Sequence, residues 1–186
     1  MSELTITNAG KTITQLRPGM GSNNERLNQM KTQVFTITPD THTEEAAVNE
    51  SVFQADELAN FMSEKGGTAI IQSIVVLDDD NNGNSLDIVF MDTDGLLDAS
   101  DDATVIDVDD TADVASAAIV DSILGVVSIS NYFDGVFWQV GQKDGIGLAI
   151  KAASTTRSIY ISAINRGGTA TWTAAGLRLK IGYIQD

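Results

Sequence analysis

Residues 66–92 contain two apolar runs separated by a polar one, and this pattern predicts the strands around which the rest of the chain is arranged. The apolar runs are Ala69–Leu77 and Ser85–Met91, and Asp78–Asn84 separates them. Val and Ile dominate the first run, and β-branched side chains suit the pleated surface of a strand. The second run alternates with a period of two. Because Asp, Asn and Gly favour turns, the stretch predicts a β-hairpin.

The first strand of this hairpin is apolar on both faces. A regular strand would place Ile70 and Ile74 on one face, and Ile71 and Val75 on the other. A strand with this pattern is expected inside a covered sheet rather than at an edge.

The rest of the chain predicts further short strands bounded by turn residues. Gln33–Thr38 alternates like a strand and ends at Pro39. The predicted strands after Gly125 are Val126–Ser130, Phe137–Val140, Ile146–Ala152, Ser158–Ile164, Thr169–Thr173 and Leu177–Ile184. Roughly eight to ten strands at this spacing are typical of a sandwich or barrel. We therefore predict an all-β fold, an antiparallel β-sandwich that is jelly-roll-like.

One or two short helices are expected beside the strands. Thr111–Leu124 carries apolar residues on roughly one side and ends before a glycine, which predicts a helix. Ser51–Glu64 is open to two interpretations. Its apolar residues from Leu58 to Met62 have helical spacing, whereas a short strand near Val52–Phe53 is the alternative.

Residues 1–31 differ from the rest of the chain because they are rich in Thr, Asn, Gly and Gln. A segment this polar buries too little apolar area to order itself alone. We expect an extended N-terminal arm over residues 1–31 and one β-sandwich domain over residues 32–186. The first residues have neither a basic start nor an apolar run, so neither a signal peptide nor a membrane anchor is predicted.

Charge is spread unevenly along the chain, whose net charge is −15. Residues 66–142 contain fifteen Asp and no Lys or Arg, whereas residues 143–186 contain six Lys or Arg and two Asp. An acidic chain repels phosphate backbones, so no nucleic-acid partner is expected. The balance favours solubility, and the acidic middle of one copy could also contact the basic end of another. Cysteine is absent, which excludes disulfides and thiolate chemistry.

The connection after the first predicted strand contains candidate ligands for calcium. Asp78, Asp80 and Asn82 fall at alternate positions, as in an EF-hand, but the twelfth position is Val89 instead of a bidentate Glu. We therefore reject an EF-hand and interpret the segment first as a turn. A different oxygen site, with Asn84 as a further ligand, remains the alternative, and no other metal or cofactor is predicted.

Residues that support catalysis are sparse. His42 is the only histidine and lies in a polar segment, where an exposed loop side chain is expected. No serine has the G-x-S-x-G context of a hydrolase nucleophile. Trp138, Trp172 and Tyr160 are interpreted as core or sheet-face aromatics rather than as a sugar-binding surface. We predict that the protein is not an enzyme.

Four segments taken in order resemble small β-sandwich virion structural proteins of tailed bacteriophages, of the head-decoration or cement type. The resemblance covers roughly Val52–Asp186 and depends on order and spacing rather than on one motif. The segments are Gly66-Gly67-Thr68 with IIQSIVVLDDD, then SLDIVFMD, then ILGVVSI at Ile123–Ile129, then GLAIKAAS, SIYISAINRGGTATWT and LRLKIGYIQD within Gly147–Asp186. It implies a non-enzymatic particle component displayed in many symmetric copies.

The resulting hypothesis is a capsid decoration protein that binds the outer head surface and stabilises neighbouring capsomers. Its expected partners are itself, as a homotrimer, and the major capsid protein, with no membrane partner. It would be made in the host cytoplasm and located in the virion. A tail or neck protein is one alternative. A calcium-dependent β-sandwich binding module is another, and a calcium titration of the melting temperature would distinguish it.

Overall fold

The computed structural model describes residues 31–41, 43–93 and 121–185. The elements within these residues are all strands. In chain order they are β1 (Lys31–Ile37), β2 (Glu45–Ala46), β3 (Ser51–Leu58), β4 (Thr68–Asp78), β5 (Leu86–Met91), β6 (Ile123–Ile129), β7 (Tyr132–Asp134), β8 (Gln139–Lys151), β9 (Ile159–Asn165), β10 (Ala170–Thr171) and β11 (Leu177–Gln185).

The strands form two main antiparallel sheets whose order defines the fold. One sheet has the order β1-β11-β4-β8-β7 and the other β3-β9-β5-β6, while β2 and β10 form a small pair. When the eight main strands are taken without β2, β7 and β10, the first pairs with the last, the second with the seventh, the third with the sixth and the fourth with the fifth. Four nested strand pairs rolled across two sheets make a jelly roll. The predicted fold class is confirmed.

The core lies between the inner faces of the two sheets. Alternate residues of β11, from Leu177 to Tyr183, are all buried. Phe61 stacks on Tyr183 with ring centroids 4.0 Å apart and tilts against Phe35 at 5.8 Å. Trp172 is 1% exposed and belongs to the same core. Burial of large apolar side chains from both sheets is the main stabilising contribution in such a fold.

The predicted hairpin of residues 66–92 is wrong, although both of its strands exist. β4 lies in the five-stranded sheet between β11 and β8, and β5 lies in the four-stranded sheet between β9 and β6. Residues 79–85 therefore pass from one sheet to the other. Turn residues allow the chain to reverse but do not specify which strand it pairs with next. The expectation that the first strand is internal is confirmed, because β4 is the third of five strands.

The predicted faces of β4 are wrong at its start. Ile71, Ile74 and Val76 are all fully buried, whereas Ile70 is 36% exposed. The register with both neighbouring strands shifts between Ile71 and Ser73, which marks a β-bulge. One extra residue reverses the alternation, so Ile70 and Ile74 lie on opposite faces.

The two strands predicted at Phe137–Val140 and Ile146–Ala152 are joined in one continuous strand, β8, which begins at Gln139 and ends at Lys151. Its register against β4 passes from Asp144 to Leu148 while β4 advances only from Ser73 to Ile71, so the extra residues of β8 bulge outward. Gly145 and Gly147 lie there with φ of +64° and +65°. Glycines at such angles allow a strand to bulge without ending, which the sequence pattern presents as a break.

The remaining predictions divide between confirmed, wrong and outside the described residues. Within Ser51–Glu64, the first eight residues form β3 (Ser51–Leu58), which confirms the strand interpretation over the helix. The helix predicted at Thr111–Leu124 ends too late. Of its described residues, Asp121 and Ser122 have helical backbone, whereas Ile123 and Leu124 belong to β6. Residues 1–30, His42 and residues 94–120 lie outside the described residues, as do the predicted arm, apart from Lys31, and most of that helix.

Candidate interaction surface

The first calcium candidate, Asp78, is the last residue of β4 and is 2% exposed. Its Oδ1 accepts a hydrogen bond from the backbone N–H of Asp80 at 3.1 Å, and its Oδ2 accepts one from Gly83 at 2.8 Å. Burial raises the pKa of Asp78 above its ordinary value, and these backbone hydrogen bonds oppose the rise. The carboxylate closes the turn by bonding the backbone of its own loop.

The other candidates join this loop to the end of β9 and to the chain between β9 and β11. Asp80 Oδ2 accepts a hydrogen bond from the backbone N–H of Thr173 at 2.8 Å, and Asn82 Nδ2 donates to the carbonyl of Thr171 at 2.9 Å. Asn84 Nδ2 donates to Asn165 Oδ1 at 3.1 Å. The four candidate ligands thus lie close together in the chain, but each has at least one polar side-chain atom that bonds a protein group. The described residues contain no group of three or more His, Cys, Asp or Glu that could hold a metal ion, and calcium binding stays a prediction.

Asn165, the last residue of β9, joins three loops at this end of the jelly roll. It is fully buried, and its Nδ2 donates to the carbonyls of Ala46 at 2.9 Å, Ala47 at 3.1 Å and Gly168 at 2.9 Å. Its Oδ1 accepts hydrogen bonds from Asn84 Nδ2 and from the backbone N–H of Gly167. The sequence predicts a turn at Asn165–Gly168 but gives no sign that its first side chain connects three loops.

Two ion pairs brace the surface around these loops. Arg166 Nε lies 2.8 Å from Asp87 Oδ2, and Arg178 Nη2 lies 2.7 Å from Asp79 Oδ2. Both pairs are partly exposed, and exposed pairs contribute about 0–1 kcal/mol. The two pairs therefore add little to the stability of the fold.

An exposed apolar turn between β7 and β8 is the main surface feature of the described residues. Phe133 is 67% exposed, Val136 and Phe137 are each 81% exposed, and Trp138 is 44% exposed. We call these four side chains the aromatic tip. A contiguous apolar patch of this kind marks an interaction site more often than a passive surface.

The backbone of the turn holds the aromatic tip in a fixed shape. The N–H of Gly135 donates to the carbonyl of Trp138 at 2.9 Å. Phe133 and Trp138 stack with ring centroids 5.9 Å apart. A Cβ atom on Gly135 would lie 2.6 Å from the Trp138 carbonyl oxygen and 2.9 Å from its ring. Glycine is therefore required for the tryptophan to fold over the turn.

Tyr132 anchors the aromatic tip from the inner side of the sheet. Its ring packs against the core, and burial, with a smaller contribution from the charge of Asp78, raises the pKa of its hydroxyl. Asp134 follows at the end of β7, is exposed, and accepts one long hydrogen bond from Gln139 Nε2 at 3.4 Å. The aromatic tip thus has an anchored inner side and an acidic border.

The sequence predicts that both tryptophans are core or sheet-face aromatics, and this is confirmed for Trp172. Trp172 belongs to the core, whereas Trp138 is a partly exposed member of the aromatic tip. A signal was present, because the Asp134-Gly135 turn pair has aromatic residues on both sides. Large apolar residues around a turn that points away from the core remain exposed.

No protein-family model matches the chain, and no curated protein matches it. Among solved structures, a chain from the X-ray structure of tomato aspermy virus has 9% identity and a TM-score of 0.35, and the match covers 83% of this chain and 77% of that chain. A chain from the structure of infectious bursal disease virus, Gx strain, has 9% identity and a TM-score of 0.29, and the match covers 83% of this chain and 38% of that chain. The jelly-roll assignment depends on the strand order described above.

Among the residues that the structure describes, none belongs to a helix with the length and apolar character that crossing a membrane requires.

Proposed function

We propose that the protein is a non-enzymatic structural component of a virus particle. The jelly roll is a fold of viral capsid domains, but lectins and cupins share it, so the fold alone does not decide the function. The observation that carries the proposal is the aromatic tip, an exposed apolar patch built on a rigid body. Such a patch suits a protein that functions by contacting other proteins.

The rigidity of the body supports the same proposal. The loop end that serves as a ligand site in many sandwiches is filled here by the side chains of Asn165, Asn84 and Asp80, which bond to one another or to neighbouring backbone. A rigid module loses little conformational entropy when it binds, so a small interface can be sufficient.

The finer proposal is a capsid decoration protein of a tailed bacteriophage. It would bind the outer head surface as a homotrimer, contact the major capsid protein and stabilise neighbouring capsomers. The net charge of −15 supports an outer position, because a carboxylate-rich surface facing packaged nucleic acid would be repelled. No membrane partner enters this proposal, and the protein would be made in the host cytoplasm before joining the virion.

Copy number separates this proposal from a tail or neck protein. Quantitative mass spectrometry of purified particles is expected to give on the order of hundreds of copies for a shell component, and tens or fewer for a ring at the tail or neck. Antibody labelling of intact particles should mark the head surface. Absence of the protein from purified particles would contradict the proposal altogether, while a low copy number with tail labelling would replace decoration by the tail alternative.

The N-terminal segment offers a second test of the decoration proposal. Deleting Met1–Met30 removes only residues before β1 and is expected to leave the melting temperature nearly unchanged. If the segment contacts the shell, binding to heads stripped of the protein should weaken by more than about tenfold. Unchanged binding by the folded, truncated protein would show that residues 1–30 have no role in attachment.

A further inference from the structure

The connection between β4 and β5 contains the one Asn-Gly pair of the sequence, Asn82-Gly83. The side-chain amide of an asparagine can be attacked by the backbone nitrogen of the residue that follows it. Glycine permits this attack best, because it has no side chain and its backbone is the least restricted. Both residues are partly exposed, so solvent water can reach them. The pair therefore has the two groups that spontaneous deamidation requires.

The reaction proceeds in two steps, and solvent water is its co-reactant. Hydroxide takes the proton of the Gly83 nitrogen, which forms a bond to Cγ of Asn82. The bond from Cγ to Nδ2 breaks, and the leaving nitrogen takes protons from water and departs as ammonia. Water then opens the cyclic succinimide at either carbonyl and gives an aspartate or an isoaspartate. The balance is one water consumed and one ammonia released.

The folded chain opposes the first step at the attacking nitrogen. The backbone N–H of Gly83 donates to Asp78 Oδ2 at 2.8 Å. A carboxylate is far too weak a base to remove an amide proton, and its negative charge disfavours the amide anion that must form beside it. Asp78 is 2% exposed, so solvent screens this charge only weakly. The contact with Asp78 therefore slows the attack.

The group that would be attacked is held as well. Asn82 Nδ2 donates to the carbonyl of Thr171 at 2.9 Å, so the side chain is directed to β10 and is not free to turn to its own following nitrogen. A Cβ atom on Gly83 would lie 1.7 Å from Oε1 of Gln139, which shows that the Gln139 side chain lies directly over Gly83. Contacts from three separate parts of the chain thus restrain this one pair.

We propose that Asn82 is a deamidation site that the native loop protects, so that modification follows opening of the loop. Asn81 and Asn84 are close by, but each precedes a residue with a side chain, which hinders attack by the following nitrogen. The inference goes beyond the proposed function, because it applies to the chain whether or not it joins a particle.

The modified loop could not return to its original contacts. An aspartate at position 82 has no side-chain hydrogen to donate, so its oxygens would face the carbonyl of Thr171, which is also an acceptor. An isoaspartate lengthens the main chain by one methylene and displaces the N–H of Gly83 from Asp78. A chain that has opened for long enough is therefore altered permanently at this loop.

Incubation of the purified full chain at mildly alkaline pH, in buffer and in concentrated guanidinium chloride, tests the protection. Peptide mass spectrometry measures the fraction of Asn82 converted over time. The rate in buffer should be at least about tenfold lower than in denaturant, because reaction of the native chain requires local opening. Equal rates would overturn the protection, and faster conversion of a different asparagine in denaturant would overturn Asn82 as the site.

Substitution of Gln139 tests the contacts that protect the pair. Gln139→Ala uncovers Gly83 and should raise the rate in buffer more than about threefold. The matched control is Gln142→Ala, which removes an exposed glutamine of the same strand whose side chain donates to Asp144. The control should leave the rate unchanged, and similar melting temperatures of both variants would exclude global unfolding as the cause. A rate in Gln139→Ala equal to that of the original protein would contradict the role of this covering side chain.

A charge substitution tests the permanent effect on the loop. Asn82→Asp reproduces the aspartate product and should lower the melting temperature by about 2 °C or more, because a donor is replaced by an acceptor. Asn131→Asp adds the same charge at an exposed position and should change it by less than about 1 °C. Equal melting temperatures of the two variants would show that the loop tolerates the product, and the claim of permanent alteration would fail.

Discussion

Asn165 is a buried residue whose side-chain amide bonds to groups from several loops. Its buried amide is bonded on both sides, to the carbonyls of Ala46, Ala47 and Gly168 and to donors from Asn84 and Gly167. A buried amide that is fully satisfied orders its surroundings, whereas one lost partner leaves a desolvated group. The loop end should therefore depend strongly on this single side chain.

Replacing the side chain of Asn165 by the methyl group of alanine tests this role. Asn165→Ala should lower the free energy of unfolding by about 2–4 kcal/mol, because several buried carbonyl and N–H groups lose their partners. Urea unfolding measures the change. Asn131→Ala is the matched control at an exposed position and should change the value by less than about 0.5 kcal/mol. If Asn165→Ala lowers the free energy of unfolding by less than about 1 kcal/mol, water molecules satisfy the hydrogen bonds that the amide made.

Asp78 gives the protein a specific pH dependence. Burial raises its pKa above the ordinary value of 3.8, so the folded state binds a proton more readily than the unfolded state. A raised pKa stabilises the fold fully below pH 3.8, and this stabilisation is lost as the pH rises through the folded-state pKa. Burial also raises the pKa of Asp56 above its ordinary value.

Asp78→Asn should therefore flatten the dependence of stability on pH. The free energy of unfolding of the original protein should include a component that falls between about pH 4 and about pH 7, and the variant should lack it. Urea unfolding at both values measures the difference, with Asp144→Asn as an exposed control. An unchanged pH dependence in Asp78→Asn would show that the carboxyl stays ionised across this range.

At the scale of elements, the sequence predicts which residues form strands far better than it predicts which strands pair. β4 and β5 are both visible in the alternation of residues 66–92, yet they lie in different sheets. Alternation is a local property of one strand, whereas pairing depends on which distant strand offers a matching edge and face. A short polar connection suits a hairpin and a sheet-to-sheet crossing equally well. The local sequence therefore does not distinguish the two arrangements.

The continuity of β8 shows a second limit of the same kind. Gly145 and Gly147 look like a strand end in sequence because glycine punctuates most strands. In the fold their positive φ angles form a bulge opposite the β4 bulge. Two neighbouring strands that both deviate from regular pairing can stay hydrogen-bonded, and only the paired partner reveals this.

The bulge gives a prediction with a closely matched control. Gly145→Ala introduces a Cβ at φ +64° in open space, so its cost comes from backbone strain alone, about 1 kcal/mol. Gly168 also has open space around its Cβ direction but lacks a positive φ. Gly168→Ala should be neutral or slightly stabilising in the same urea measurement. Equal effects of the two substitutions would remove the strain argument.

At the scale of the whole molecule, composition and periodicity were sufficient for the fold class. Many short alternating segments separated by turn residues cannot bury their apolar faces as single strands, and two packed sheets are the simple solution. The same reasoning interprets Trp138 as a core or sheet-face aromatic and so misses the aromatic tip. An apolar side chain that is exposed for contact with a partner can be recognised only after the structure shows that the core packs without it.

We propose a protein that acts as a structural unit of a virus particle, in contact with copies of itself and with the shell. The most direct measurement is a cryo-electron microscopy reconstruction of purified particles that contain this chain. The account predicts a jelly-roll density in many symmetry-related copies on the outside of the head, with the aromatic tip at a contact between subunits. A reconstruction in which this density is absent, or in which the aromatic tip faces solvent in every copy, would contradict it.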